Sequence, residues 1–370
     1  MERKKILLVE PEYYTRFPPL GLLKLATFFR SQEHEIKLVR GKLEEDYGPD
    51  EIYVTSLFTW AWKSVHEEIK FYKEKYPEAR IFLGGIYASL MPEHAASTGA
   101  EIIEGLHKEA DACIPAWDLV PEWDGSIIFV SRGCIRKCAY CAVPKIEGDL
   151  RLLIQSIKPY VYEGHTKIIF WDNNILALEH WDNIFQELLE LKKWVDFNQG
   201  LDARLINKKK AQQLSQLKTK FIRLAYDTKS MEKGVKKGID NLIEAGVSGK
   251  KIVVYTLFNF KDTPEDFFIR VKNLLNWGVT SYPMRYEPLD GLKKNRYISA
   301  NWTKDELDMV ARARRVLGFA GSFPPYKGLI KKFNDAENFN EAFELWEKDK
   351  NKETKKKIVR WKASNWEEAI

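Results

Sequence analysis

The chain has 370 residues, with 59 lysines and arginines against 53 aspartates and glutamates, a net charge of +6, and is 45% hydrophobic and 30% charged. That composition excludes a disordered chain and suits one large or two ordinary domains with real cores. No stretch approaches the roughly 18 to 20 continuous apolar residues of a bilayer-spanning helix, and the first eight residues lack a signal peptide's apolar region, so a cytoplasmic protein with no membrane partner is expected.

Over the first hundred residues, short apolar runs at 5–9, 35–39, 52–56, 81–83 and 101–103 alternate with helical patterns, notably 20–30 and 61–75. Apolar residues there recur at helical spacing, and such alternation is what a doubly wound parallel sheet requires. A small Rossmann-like domain is expected over 1–106. From 107 to 125 the periodicity is lost and Pro115, Trp117, Pro121 and Trp123 collect, which reads as a connector packed on its surroundings.

Alternation resumes with wider spacing. Strand-like runs at 126–130, 167–171, 195–198, 221–226, 251–257 and 281–286 are separated by helical segments such as 180–194, 208–216 and 264–277, the last with Thr263 as its N-cap. Six such units over 126–290 predict an α/β fold with a partial (β/α)6 TIM-like barrel, whose reactive residues gather at the C-terminal ends of strands. Residues 291–370 read as a helical extension rich in lysine and carrying Trp346, Trp361 and Trp366, which either pack on the barrel or serve a substrate or partner.

Only four cysteines occur, and Cys134, Cys138 and Cys141 fall within eight residues directly after the run at 126–130. That grouping is poor for a disulfide framework and good for a metal centre in a reducing compartment. Spacings of three and two intervening residues let one loop give three thiolates to an iron–sulfur cubane and leave one iron open. The alternatives are a structural zinc site completed by Cys113 or a histidine, or buried structural cysteines; zinc usually takes two paired ligand clusters, and a matching pair is missing.

The pattern Cys134-Ile135-Arg136-Lys137-Cys138-Ala139-Tyr140-Cys141, with an aromatic before the last cysteine, resembles the radical S-adenosylmethionine superfamily over roughly residues 124–289. The resemblance implies a [4Fe–4S] cluster on Cys134, Cys138 and Cys141 and S-adenosylmethionine chelated at the open iron. It also implies an electron donor of flavodoxin or ferredoxin type. Carried over position by position, Asp172, Asn173 and Asn174 would receive the methionine amino group, and Asn198, Gln199 and Arg204 its carboxylate. Asp227 would take the ribose, and Tyr140 would present its backbone to adenine. Each has a plainer reading as a helix cap at a strand end. The usual Gly-Gly-Glu after the second strand is replaced by Asp172-Asn173-Asn174.

Two N-terminal segments, Pro18-Pro19-Leu20-Gly21 onward and Gly84-Gly85-Ile86-Tyr87-Ala88, resemble the cobalamin-binding subgroup of that superfamily. Cobalamin near Gly84 and Gly85, and methyl transfer to an unactivated carbon, are what this implies. Against it, the cobalt-binding Asp-x-His-x-x-Gly loop is missing and residues 40–50 are too short for the usual crossover. The other readings are cobalamin-independent modification of RNA, ribosomal protein or peptide, and an iron–sulfur binding module without catalysis.

Overall fold

Aliphatic runs of five or six residues build the first sheet. Strands β1 (Lys5–Glu10), β2 (Glu35–Arg40), β3 (Glu51–Ser56), β4 (Arg80–Gly85) and β5 (Glu101–Ile102) lie in the order β2-β1-β3-β4-β5, every pair parallel. In β1 the residues Ile6, Leu7, Leu8 and Val9 are all fully buried, as a central strand covered on both faces must be. Their alternation sends Ile6 and Leu8 to Leu22, Ala26 and Phe29 of α1 (Leu20–Arg30). Leu7 and Val9 meet Val65, Ile69 and Tyr72 of α2 (Trp62–Lys75) on the other face. At about 1.5 to 3 kcal/mol for each large aliphatic side chain buried, these two layers outweigh any single polar contact in the sheet.

The computed structural model describes residues 2–345. Packing divides the chain into two compact units, one of residues 1–168 with 287–297, the other of 169–286 with 298 onward. In the first unit, residues 41–50 carry the chain from β2 past β1 to β3 without a helix. Side chains of α2 hold that stretch in place: the Tyr72 hydroxyl donates to the Gly41 carbonyl at 2.8 Å and accepts the Leu43 N–H at 2.9 Å. The Lys75 ammonium donates to the Leu43 and Glu45 carbonyls at 2.7 and 3.0 Å.

After β4 come the short helices α3 (Ile86–Leu90) and α4 (Pro92–Ala96), and after β5 the helix α5 (Lys108–Asp111). The connector predicted from its lost periodicity packs along α1. Ala116 N–H donates to the Leu23 carbonyl at 3.0 Å, the Thr27 hydroxyl to Ile114 at 2.6 Å, and Arg30 pairs with Asp118 at 2.9 Å.

The strand expected over 126–130 ends early, as β6 (Ser126–Ile128), and a separate short strand, β7 (Ser131–Arg132), follows it. Beyond the cysteines lie α6 (Val143–Ile146) and β8 (Arg151–Leu152), and β7 pairs antiparallel with β8, Ser131 opposite Leu152 and Arg132 opposite Arg151.

The division between the units falls within β9 (Lys167–Phe170). Then follow α7 (Trp181–Leu191), β10 (Trp194–Phe197), α8 (Lys208–Gln216), β11 (Ile222–Ala225), α9 (Glu232–Glu244), β12 (Ile252–Phe258), α10 (Pro264–Asn276) and β13 (Thr280–Arg285). Strands therefore stand at all six positions expected after residue 125. They fall into two three-stranded sheets, β9 central in one and β12 in the other, and among the described residues there is no closed barrel. The α/β class with parallel sheets holds: β12 is parallel to both β11 and β13.

The chain ends in α11 (Lys304–Leu317), α12 (Lys327–Asp335) and α13 (Phe339–Phe343), the helical C-terminus the composition predicted. Its aromatics build a core with the second unit: Trp302, Phe323, Phe333, Phe339 and Phe343 pack with Phe258 and Phe267. Phe323 exchanges both backbone hydrogen bonds with Ser281 of β13, at 2.7 and 3.0 Å, and so covers that strand's edge. Trp346, Trp361 and Trp366 lie outside the described residues. No helix among those described is long and apolar enough to cross a membrane.

Candidate metal centre

Cys134, Cys138 and Cys141 sit on one loop of the first unit, all half-buried. The loop has a built neck. Gly133 adopts φ +75°, a conformation L side chains rarely take, and a Cβ there would fall 2.1 Å from the Asp149 carbonyl oxygen. Cys134 N–H donates to Gly148 O at 3.3 Å. Directly below, the β7–β8 pair closes the stem.

Within the loop the sulfurs take part in backbone hydrogen bonds. Arg136 N–H donates to Cys134 Sγ at 3.3 Å, and a turn joins Cys141 N–H to the Cys138 carbonyl at 3.0 Å. Burial pushes the Cys141 thiol up; the Val143 N–H opposes this, while the Cys138, Cys134 and Glu147 charges add to it. A cation at this spot would reverse that balance, since a coordinated thiol is deprotonated outright. Cys113, the fourth cysteine, directs its thiol to the Glu109 carbonyl at 3.6 Å.

Three buried charges and the half-buried Glu147 surround the neck. Arg132 donates to Asp111 through Nη2 at 2.6 Å and through Nε at 3.1 and 3.2 Å, and its Nη1 lies 3.3 Å from Glu147 Oε1. Glu147 Oε2 accepts the Gly133 N–H at 2.8 Å. Lys24 of α1 donates to the Asp111 carbonyl and stands 3.5 Å from its carboxylate. The guanidinium of Arg132 also lies 3.4 Å from the Phe129 ring centre. Burial, then the Arg132 charge, lower the Lys24 ammonium to about 8 against the pull of Asp111.

Among the described residues, no group of three or more His, Cys, Asp or Glu side chains is gathered closely enough to hold a metal ion. In this conformation the three sulfurs do not form one coordination group. The donor set fits an iron–sulfur cluster in number, chemistry and chain spacing, and the loop that carries it is anchored at both ends. Tyr140, half-buried, lies in the same loop.

The other expected residues belong to the second unit. Asp172 and Asn174 are buried and Asn173 half-buried after β9. Asn198 follows β10, its N–H donating to Phe170 O at 3.1 Å, and Gln199 is exposed. Arg204 is already engaged: its Nε and Nη2 fork onto Asp202 at 2.7 and 2.9 Å, and Asp202 also accepts the Arg204 N–H. Asp227 accepts the Leu257 N–H of β12 at 3.3 Å, a bond to the neighbouring strand and not the helix cap of its plainer reading.

Sequence reading passed over several polar groups. Asp196 of β10 and Arg223 of β11 form a largely buried pair, and Arg223 also bonds the Tyr255 hydroxyl. Arg270 is fully buried and donates to the carbonyls of Tyr226 at 3.0 Å and Leu257 at 2.7 Å and to Asp262 at 2.6 Å. A single charge inside each otherwise apolar strand, Asp196 in β10 and Arg223 in β11, was the available signal for the first pair.

Gly84 and Gly85 line a cavity of about 190 Å³ in the first unit, together with Gly21, Lys24, Phe82 and Arg132. A Cβ on Gly85, at φ +98°, would fall 2.4 Å from Ser56 O, so the sheet itself demands that glycine. At Gly84 the nearest atoms would be 3.7 Å away. Its volume is below the roughly 300 Å³ at which drug-sized ligand sites begin.

No family model and no curated protein matches this chain. Among solved structures, it matches a structure of the xylose-binding transcription activator xylR at 10% identity over 92% of this chain and 85% of that one. The TM-score of that match is 0.21. So low a score carries no argument about fold or function.

Proposed function

We propose that this chain is a radical S-adenosylmethionine enzyme whose cluster is held by Cys134, Cys138 and Cys141. The observation that carries the reading is a three-thiol loop at the exit of β7, pinned at its neck, while Cys113 is turned to its own helix carbonyl. When bound, the cluster supplies one electron to the sulfonium of S-adenosylmethionine, which releases methionine and a 5′-deoxyadenosyl radical that abstracts hydrogen from substrate. The strands after residue 125 are, on this reading, those of a partial (β/α)6 barrel.

The chain's own residues have narrower tasks. Backbone N–H groups such as that of Arg136 stabilise thiolate charge at the sulfurs. Asp172, Asn173 and Asn174 receive the methionine amino group, Asn198 and Gln199 its carboxylate, Asp227 the ribose, and the Tyr140 backbone the adenine. Arg204 joins them only by exchanging its Asp202 partner for the ligand. The electron comes from a flavodoxin or ferredoxin type of donor.

Anaerobically reconstituted, reduced protein is expected to form 5′-deoxyadenosine, and Cys138→Ala to abolish it. Undiminished product in the variant would sink the mechanism. A second reading, cobalamin-dependent methyl transfer, rests on the resemblance of the segments at Pro18–Gly21 and Gly84–Ala88, and no step is derived through that group. Corrin retained after desalting protein produced with cobalamin would favour it. Loss of all corrin leaves modification of RNA, ribosomal protein or peptide without cobalamin.

A further inference from the structure

We propose that Glu147 and Arg132 are positioning residues that set the geometry of the cysteine loop, with Asp111 as their anchor. This rests on the iron–sulfur reading of the loop. Glu147 lies six residues after Cys141, at the end of α6, and Gly133 lies one before Cys134. The 2.8 Å bond from Gly133 N–H to Glu147 Oε2 therefore ties the backbone entering the three cysteines to the helix leaving them. The other carboxylate oxygen holds Arg132, which is forked onto Asp111. Arg132 and Asp111 are 8% and 7% exposed at their side chains and Glu147 13%, so this is an interior contact.

The charge balance separates positioning from attraction. Two cations, Lys24 and Arg132, face two anions, Asp111 and Glu147, so the four formal charges of the network sum to zero. Its effect is directional: an Arg fork fixes two planar groups at once, which a lysine point charge does not. Gly133 cannot shift aside, because its backbone already runs against Asp149. Loop ends held this way lower the entropy lost when three sulfurs must converge on one cluster.

The test uses the full chain. In apo-protein, the alkylation rates of Cys134, Cys138 and Cys141 by iodoacetamide are resolved by peptide mass spectrometry. Glu147→Ala is expected to raise the Cys134 rate on the order of tenfold, the weight of one hydrogen bond to a charged group. Glu147→Gln keeps an acceptor for Gly133 N–H and is expected to stay within about twofold of wild type. Arg132→Lys should resemble Glu147→Ala; if it fails to fold, the two Glu147 variants decide. In reconstituted protein, the reduction potential and the electron paramagnetic resonance line shape should shift in Glu147→Ala and return in Glu147→Gln. Wild-type alkylation rates and an unshifted spectrum in Glu147→Ala would overturn the proposal while leaving the iron–sulfur reading intact. A wild type that takes up no iron and sulfide would overturn that reading, and the proposal with it as a statement about a cluster, whatever the alkylation series shows of the loop.

Discussion

At the cysteine loop, three buried charges from α1, α5 and β7 and the half-buried Glu147 at the end of α6 form one chain of contacts that ends on the Gly133 N–H. Lys24 and Asp111 are 87 residues apart, Asp111 and Arg132 are 21 apart, and Arg132 and Glu147 are 15 apart. At the strand ends of the second unit, by contrast, Asp202 and Arg204 satisfy each other two residues apart and Asp227 takes a backbone N–H of the next strand. The first arrangement depends on tertiary structure already being formed. In the second, the Asp202–Arg204 fork spans only two residues, while Asp227 reaches a strand 30 residues on.

The contrast is broken or sharpened most strongly at Asp111. Asp111→Ala removes the buried carboxylate that Arg132 forks onto and that stands beside Lys24, and is expected to cost about 3 kcal/mol in urea unfolding. Asp202→Ala removes a short-range fork and a 3-10 helix cap and is expected to cost about 1 kcal/mol. Equal losses in the two variants would remove the distinction. Thr263→Ala, which dissolves the capping box with Asp266 at the start of α10, should lower stability by roughly 1 kcal/mol or less, read as a small fall in Tm.

The smallest effect is a pH slope in the first unit. Burial pushes the Glu10 carboxyl up to about 7, with Arg40 only partly opposing. The folded chain then binds that proton more tightly than the unfolded chain, so its contribution is complete below about 4.5 and is lost as pH rises through about 7. Glu10→Gln should flatten the decline in stability over that window, measured by urea midpoints; an unchanged slope would assign the decline to other groups.

Much of this molecule was legible from its residues. The helices at 20–30 and 208–216 stand where their apolar spacing put them, and the Thr263 cap is a complete capping box. The parallel character of the first sheet followed from the alternation of strands and helices, whereas its strand order, β2-β1-β3-β4-β5, shows only in the fold. That β6 ends at Ile128 and a separate two-residue β7 follows was not legible, because β7 pairs with β8 from beyond the cysteines. Asp111 likewise sits in a segment without periodicity, and nothing local marks it as the counter-ion of Arg132 and Lys24. For the candidate site, the cysteines were plain from spacing alone, whereas the Asp202 fork on Arg204 shows only once the turn is formed.

The central claim is that three thiols on this loop hold a cubane with one iron open to S-adenosylmethionine. Its most direct test is the electron paramagnetic resonance spectrum of anaerobically reconstituted, dithionite-reduced protein, recorded with and without S-adenosylmethionine. The account predicts a [4Fe–4S]⁺ signal that changes on addition of S-adenosylmethionine and is lost in Cys138→Ala. A protein that takes up zinc but no iron and sulfide, or a cluster signal indifferent to S-adenosylmethionine, would contradict it.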